Sequence, residues 1–167
     1  MIRYRYQTAW KRFFASWIDA FVLIPFIWGI DLLVLLLDQE GFRLVWAFVS
    51  YQIYWIYTTV MHARGGRTVG KMVMKVKVID ARERHGIGWA QAFRRESVFA
   101  VFALVLATAY TLSLADSGED ARMQTAYVLL DLSYMLWIVL EWITMLLNNR
   151  RRAIHDFIGG TVVIRTE

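Results

Sequence analysis

Residues 13–37 read FFASWIDAFVLIPFIWGIDLLVLLL, a long apolar run in which Asp19 and Asp31 are the only ionisable side chains. A helix needs about 20 predominantly apolar residues to cross roughly 30 Å of hydrocarbon. The stretch therefore predicts a membrane-spanning helix. It is too long for a cleavable signal peptide and lacks a small-residue cleavage pattern, so we expect it to be retained.

Three more apolar runs follow at residues 44–61, 97–115 and 125–147. Of the 167 residues, 58% are hydrophobic and 16% aromatic, which is far above the usual composition of a soluble domain. The pattern predicts an all-α membrane protein: a four-helix transmembrane bundle forming one domain over residues 1–167. The longer connection, residues 62–96, and the tail, residues 148–167, would then lie on the same side of the membrane.

The positive charges have a strongly biased placement. All but two of the 19 Lys and Arg residues fall in the N-terminal segment, the middle loop or the tail, and only Arg43 and Arg122 fall in the two hairpin turns. Because Lys and Arg mark the cytoplasmic loops of membrane proteins, both termini and the middle loop are predicted to be cytoplasmic. The same residues can contact anionic lipid headgroups, which makes nucleic acid an unnecessary explanation for the net charge of +5.

The stretch GGRTVGKM, residues 65–72, differs from a phosphate-binding loop by Met72, which stands where a hydroxyl should bind magnesium. Such a loop must also leave a buried strand, whereas this one follows the end of an apolar span. We therefore interpret it as an exit from the membrane, with Gly65 and Gly66 permitting a sharp turn. Thr68 is expected to cap a short interfacial helix.

That short helix would place apolar residues toward the membrane and direct Lys71 and Lys75 toward water. Two strand-like segments, VKVID at 76–80 and GGTVVIRT at 159–166, lie beyond it and in the tail. An unpaired strand would leave backbone groups exposed near lipid. They are therefore predicted to pair as a small cytoplasmic β-ribbon.

Four segments together resemble the RDD family of small bacterial integral membrane proteins: RFFASWID (12–19), GGRTVGKMVMKVKVID (65–80), AFRRE (92–96) and RRRAIHDFIGGTVVI (150–164). The family is named for one arginine and two aspartates, and the resemblance places these at Arg12, Asp19 and Asp156. It implies a location in the bacterial cytoplasmic (inner) membrane and a role in transport, with some members exchanging sodium or other monovalent cations for protons. Its cytoplasmic motifs also contain the residues Gly70, Lys71, Arg95, Glu96 and His155.

Ionisable residues within spans are costly, by about 2.5–3.5 kcal/mol on insertion scales, and are candidates for function. Asp19, Asp31, Asp131 and Glu141 are such residues. If the first and fourth spans are neighbours, Asp19 would face Glu141 on the inner side and Asp31 would face Asp131 on the outer side. Two close carboxylates do not both stay ionised unless a cation joins them, which is the competition that a cation–proton exchanger requires.

Several alternatives remain at the level of sequence. Arg12 could form a structural bridge with Asp19 or with Asp156, Arg95 and Glu96 could anchor the third span at the interface, and the His155–Asp156 pair could be a local cap. The chain could instead be a non-transporting adaptor that binds a partner or anionic lipid through Arg150, Arg151 and Arg152. A lipid-modifying enzyme with a site at His155 and Asp156 is a remote option.

The sequence predicts no cofactor and no metal site, because it has no cysteine and its three histidines are far apart. Four helices enclose little space and the chain is rich in aromatic residues. We therefore expect a homo-oligomer or a complex with a partner membrane protein.

Overall fold

The computed structural model describes residues 2–115 and 121–166, which are mostly helical. The long helices are α2 (Ala9–Leu37), α3 (Glu40–Gly65), α5 (Trp89–Ala115) and α6 (Ala121–Leu147). The short elements are α1 (Ile2–Arg5), α4 (Val69–Val73), β1 (Val76–Asp80), α7 (Ile154–Gly159) and β2 (Thr161–Arg165). The predicted turn between the third and fourth spans, residues 116–120, lies outside the described residues.

The four long helices begin before the predicted apolar runs, and α3 also ends after its run, at Gly65. A hydropathy pattern detects only the part of a helix that suits hydrocarbon. Backbone hydrogen bonding continues through the polar residues at the membrane boundary, so α5 already includes Arg94, Arg95 and Glu96. The charged residues near the ends of the spans are therefore held on rigid helices rather than on loops.

Three helical segments are long and apolar enough to cross a membrane: Ala9–Leu37, Trp89–Ala115 and Gln124–Leu147. The expectation of four spans is thus met in part. Helix α3 has 26 residues but is not among the three, because tyrosines, threonines and Gln52 lower its hydropathy. Several of these polar residues, including Gln52, Thr58 and Thr59, are buried within the protein.

Helices α3 and α5 pack side by side and form the centre of the bundle. Helix α2 lies against α3 and α4, and α6 lies against α5. Across the bundle α2 and α6 meet through an edge contact between the rings of Phe13 and Trp142, whose centroids are 5.5 Å apart. Phe13 and Trp142 also line a cavity that lies between these two outer helices.

The predicted ribbon is confirmed: β1 and β2 pair antiparallel, with Val78 opposite Val163. Both faces of the ribbon are covered. Val76, Val78 and Val163 pack with Ile87, which precedes α5, and with Ala92 in its first turn. The opposite face packs on Tyr6 near the N-terminus. The middle loop, the tail and the N-terminal segment therefore form one layer at the same end of the helices.

The turn through GGRTVGKM follows the sequence prediction at two points. Gly66 ends α3 in the left-handed conformation, with φ of 67° and its N–H bonded to His62 O. Thr68 precedes α4 and its hydroxyl accepts a hydrogen bond from the N–H of Lys71. The expectation that Lys71 points to water is wrong, because its Nζ lies 2.9 Å from His62 Nε2 inside the protein.

Helix α4 approaches α2 more closely than a side chain would allow. A Cβ atom added at Gly70 would lie 1.9 Å from the carbonyl oxygen of Ala15. We expect Gly70→Ala to push α4 away from α2 and to destabilise the protein by about 1–3 kcal/mol, the usual cost of overpacking. Thermal melting of purified protein in detergent would show this as a clearly lowered Tm.

Gly29→Ala is the matched control, since a Cβ at Gly29 meets nothing within 4 Å. It removes a flexible residue from the middle of α2 and should leave the Tm unchanged or raise it. Equal melting temperatures for the two variants would contradict the close approach of α4 to α2.

Candidate functional site

A buried ionic cluster joins α2, α5 and α7 at the end of the bundle that carries the ribbon. Its centre is Asp156, which has no solvent exposure. One carboxylate oxygen accepts a hydrogen bond from Arg12 at 2.7 Å, and the other accepts from Nε of Arg95 at 3.1 Å. Of the two partners predicted for Arg12, the structure therefore selects Asp156 rather than Asp19.

Local structure orients Asp156 for this role. It lies in the first turn of α7, where its Oδ2 also accepts a hydrogen bond from the N–H of Ala153 at 3.0 Å. Burial disfavours the charged carboxylate, but the positive charges of Arg12 and Arg95 outweigh this and hold the pKa of Asp156 well below its usual range. Asp156 is therefore both the predicted local cap and the anion between two guanidinium groups.

His155 links this cluster to α6. Its Nε2 lies 3.0 Å from NH2 of Arg12 and 2.7 Å from NH2 of Arg95. Guanidinium groups only donate hydrogen bonds, so Nε2 must be the unprotonated nitrogen and Nδ1 must carry the hydrogen. The backbone N–H of His155 donates to Oε1 of Glu141 at 3.0 Å.

Glu141 is 6% exposed and lies against the same histidine. Its Oε2 is 2.7 Å from Nδ1 of His155, yet the two atoms are not aligned as a hydrogen bond, and both are buried without another hydrogen-bond partner among the described residues. The contact is an electrostatic one. Glu141 therefore presents a buried carboxylate oxygen with unused acceptor capacity.

A second group of titratable side chains continues the cluster toward α4. His62 Nδ1 lies 3.1 Å from Oε1 of Glu96, which also accepts from NH1 of Arg95 at 2.8 Å. On the other side of the ring, Nε2 of His62 faces Nζ of Lys71. Arg95 and Glu96, the predicted anchors of α5 at the interface, are only 3% and 5% exposed and lie inside the cluster.

Asp19 has a different environment from the one predicted. It accepts hydrogen bonds from Thr68 Oγ1 at 2.6 Å, from the N–H of Gly70 at 2.7 Å and from Tyr57 OH at 2.9 Å. These neutral donors fix α4 to α2. Asp19 and Glu141 therefore have separate sets of partners and do not form the predicted inner pair.

The outer carboxylates are also not brought together in the predicted way. Asp31 accepts a hydrogen bond from Nε1 of Trp46 at 2.6 Å on the exposed surface of the helices. Asp131 is half-buried on α6, near Tyr51 and Tyr134. Among the described residues no group of three or more His, Asp and Glu is arranged to hold a metal ion.

A cavity of about 470 Å³ lies between α2 and α6 and ends on the ionic cluster. Its wall is apolar along the helices and charged at the end near the ribbon. The charged and histidine side chains that line it are Arg12, His62, Lys71, Arg95, Glu96, Glu141 and His155. His62 and Tyr134, which also line it, were not predicted as site residues. The sequence signal that could have identified His62 as a site residue is its position next to arginines at the end of the second apolar run.

Apolar helices that cover a buried charged cluster, with a cavity between them, define a helical membrane protein. The family model described as RDD family matches residues 6–160, which is nearly the whole chain. The chain belongs to the RDD family, as its motifs predicted. No curated protein and no solved structure matches it.

We expect Asp156→Asn to be strongly destabilising. It leaves Arg12 and Arg95 buried without the anion between them, and breaking a buried ion pair costs about 3–5 kcal/mol. The check is the fraction of protein that remains monodisperse by size-exclusion chromatography after heating in detergent. The control Glu83→Gln removes a partner of Arg5, whose side chain is 48% exposed, and should cost about 1 kcal/mol or less.

Proposed function

We propose that this RDD protein moves a monovalent cation across the membrane in exchange for protons. The observation that supports this most directly is the cavity that ends on buried, mutually bonded acids and bases. Ionisable groups inside a membrane bundle are costly, and they typically mark ion or proton pathways. We include α3 as a fourth span, since its polar side chains face α5 and the protein interior rather than lipid.

The charges in the cluster support a cation as the solute. Arg12 and Arg95 supply two positive charges, while Asp156, Glu96 and Glu141 supply three negative charges. Without a further positive charge the cluster has an excess of one negative charge. In a low-dielectric environment such an excess favours binding of a proton or a small cation.

Glu141 is the best candidate to meet the cation. The residue lines the cavity, and its Oε2 is buried and has acceptor capacity left. Oxygen is the ligand type that hard cations prefer. Asp19 was the leading sequence candidate for this role, but the donors that fix α4 already occupy its oxygens, and we assign it a structural role.

The adaptor alternative receives less support. It depends on Arg150, Arg151 and Arg152 being available to a partner. Each of the three donates a hydrogen bond to a backbone carbonyl of the same chain, those of Ala81, Leu146 and Thr161 respectively. These arginines hold the tail in place, so their charge reversal would disturb the fold itself.

Proton movement in proteoliposomes tests the proposed function. With a pH dye trapped inside, addition of sodium, potassium or lithium should produce a pH change for at least one cation. Glu141→Gln keeps the shape of the side chain but removes its charge, and we expect it to reduce the rate at least about tenfold. That reduction corresponds to roughly 1.4 kcal/mol.

Asp31→Asn is the matched control, because Asp31 lies on the exposed surface away from the cavity, and its rate should match the unmodified chain. Absence of any cation-dependent pH change, in protein shown to be folded and inserted, would refute the proposal. A normal rate in Glu141→Gln would remove Glu141 from the path.

Orientation can be tested separately, because the chain contains no cysteine. We propose that both termini and the ribbon are cytoplasmic. In intact cells a membrane-impermeant maleimide should then label Glu40→Cys, at the first residue of α3, and should not label Arg84→Cys, in the middle loop. Labelling of both sites after lysis is the control for accessibility, and the reverse pattern in intact cells would invert the topology.

A further inference from the structure

Lys71 differs from the other two cations that line the cavity. Arg12 and Arg95 each have a carboxylate oxygen within 3.1 Å. For Lys71, no carboxylate of the described residues lies within the 4.0 Å of an ion pair, and its Nζ instead faces the Nε2 atom of His62. Lys71 is therefore the cavity's least firmly paired positive charge.

The fold holds Lys71 in this inward position. Asp19 binds the N–H of Gly70 and the hydroxyl of Thr68, which places α4 against α2. The missing side chain at Gly70 allows the backbone contact with Ala15. The next residue, Lys71, then turns toward His62 and the cavity rather than toward water. This inward direction is unusual for a lysine next to exposed apolar residues, since Met72 and Val73 are 48% and 62% exposed.

Titratable and charged groups from every surrounding element lie near Lys71. They are Arg12 and Asp19 on α2, Tyr54, Tyr57 and His62 on α3, Arg95 and Glu96 on α5, Tyr134 and Glu141 on α6, and His155 and Asp156 on α7. Burial is the main cause that lowers the pKa of Lys71, to about 7, and the charges of Arg95 and Arg12 add to it against the opposing effects of Glu96 and Asp19. The side chain is thus charged below neutral pH and uncharged above it.

The charge of Lys71 decides the balance of the cluster. When it is protonated, the three cations Arg12, Arg95 and Lys71 match the three carboxylates Asp156, Glu96 and Glu141. When it is neutral, one negative charge is left over. Asp19 is left out of this count because neutral donors bind both of its oxygens. Including it would add one negative charge in both states, so loss of the Lys71 proton would still make the cluster more negative by one charge.

We propose that the ammonium group of Lys71 is a built-in competitor of the transported cation, so that the cavity holds either the Lys71 proton or one monovalent cation. This rests on the proposed function and names the group that carries the exchanged proton. The proton leaves Nζ for water in the cavity and the cation enters beside Glu141, so the charge of the cavity stays constant. A neutral amine still donates to His62 Nε2, which keeps the side chain in place in both states. Exchange is then one cation for one proton and electrically neutral.

The test is a measurement of cation binding at equilibrium. Binding is detected through the fluorescence of Trp17 and Trp142, which line the cavity. Sodium chloride is titrated at fixed ionic strength against choline chloride, in detergent, from pH 5.5 to 9. Competition with a single proton predicts that the apparent Kd for sodium rises about tenfold for each unit by which the pH is lowered below pH 7, and that it is constant above pH 7. Potassium and lithium are titrated in the same way.

Two substitutions separate charge from shape. Lys71→Met removes the charge, and we expect it to bind the cation at pH 6 as tightly as the unmodified chain does above pH 8, with no pH dependence in between. Lys71→Arg keeps a permanent charge and should weaken binding at least about tenfold at every pH. Lys75→Met, a change at an exposed lysine of the same segment, should behave like the unmodified chain.

The outcomes distinguish the two proposals. Proteoliposomes that exchange cations for protons, together with a pH slope that persists in Lys71→Met, would overturn the role of Lys71 and leave the proposed function standing. Binding with the expected slope but without transport would support the competition at Lys71 and refute transport. Failure of Lys71→Met to bind any of the three cations would also overturn the competition.

A titration of Lys71 in the unmodified sequence tests the proposal even if the variants do not fold. After reductive methylation with a carbon-13 label, the Lys71 signal in NMR spectra, assigned by its loss in Lys71→Arg or by comparison with Lys75→Met, reports its titration. By linkage, a cation that competes with the proton must shift this titration to lower pH as its concentration rises. A titration that sodium, potassium and lithium all leave unmoved would overturn the proposal.

Discussion

The structure depends on the placement of one buried carboxylate, Asp156, between two buried arginines. Arg12 has no other carboxylate partner among the described residues and Arg95 has only Glu96 besides, and desolvating an unpaired charge costs several kcal/mol. The three residues come from α2, α5 and α7, so a single anion fixes the first span, the third span and the tail relative to one another. Gly159 completes the arrangement, because a Cβ there would lie 2.8 Å from Cβ of Arg95 and keep α7 away from α5.

Asp19 and Asp156, the two aspartates to which the family resemblance pointed, have different structural roles. Asp156 balances guanidinium charge, whereas Asp19 is held by neutral donors and positions α4. The second arrangement matters for the first, because α4 carries Lys71 to the edge of the same cluster. Capping interactions at two short helices thus bring groups from distant parts of the sequence into one cavity. Phe13 of α2 and Trp142 of α6, whose rings are in contact, also line that cavity.

Much of the architecture was predictable from particular stretches. The apolar runs located the long helices, Thr68 and Gly66 predicted the turn into α4, and the strand-like segments at 76–80 and 159–166 predicted the ribbon. The site was less predictable. Helical position alone suggested that Asp19 and Glu141 would face each other, but Asp19 accepts hydrogen bonds from Tyr57, Thr68 and Gly70, and Glu141 lies against His155. Lys71 was expected to point to water because lysine usually does, but its half-buried side chain turns toward His62 beside the charged cluster.

The sequence by itself determined the membrane class, the number of long helices, the pairing of the ribbon and the membership in the RDD family. The first three follow from hydropathy, charge bias and local turn chemistry, which act over a few residues at a time, and the family membership follows from the resemblance of the four sequence motifs. Only the tertiary structure decided which charges meet, which carboxylate keeps an unused oxygen and which cation lacks a carboxylate. Those outcomes depend on distances between side chains separated by as many as 144 positions, as for Arg12 and Asp156, and on the space between packed helices. Neither is encoded in any local pattern of residues.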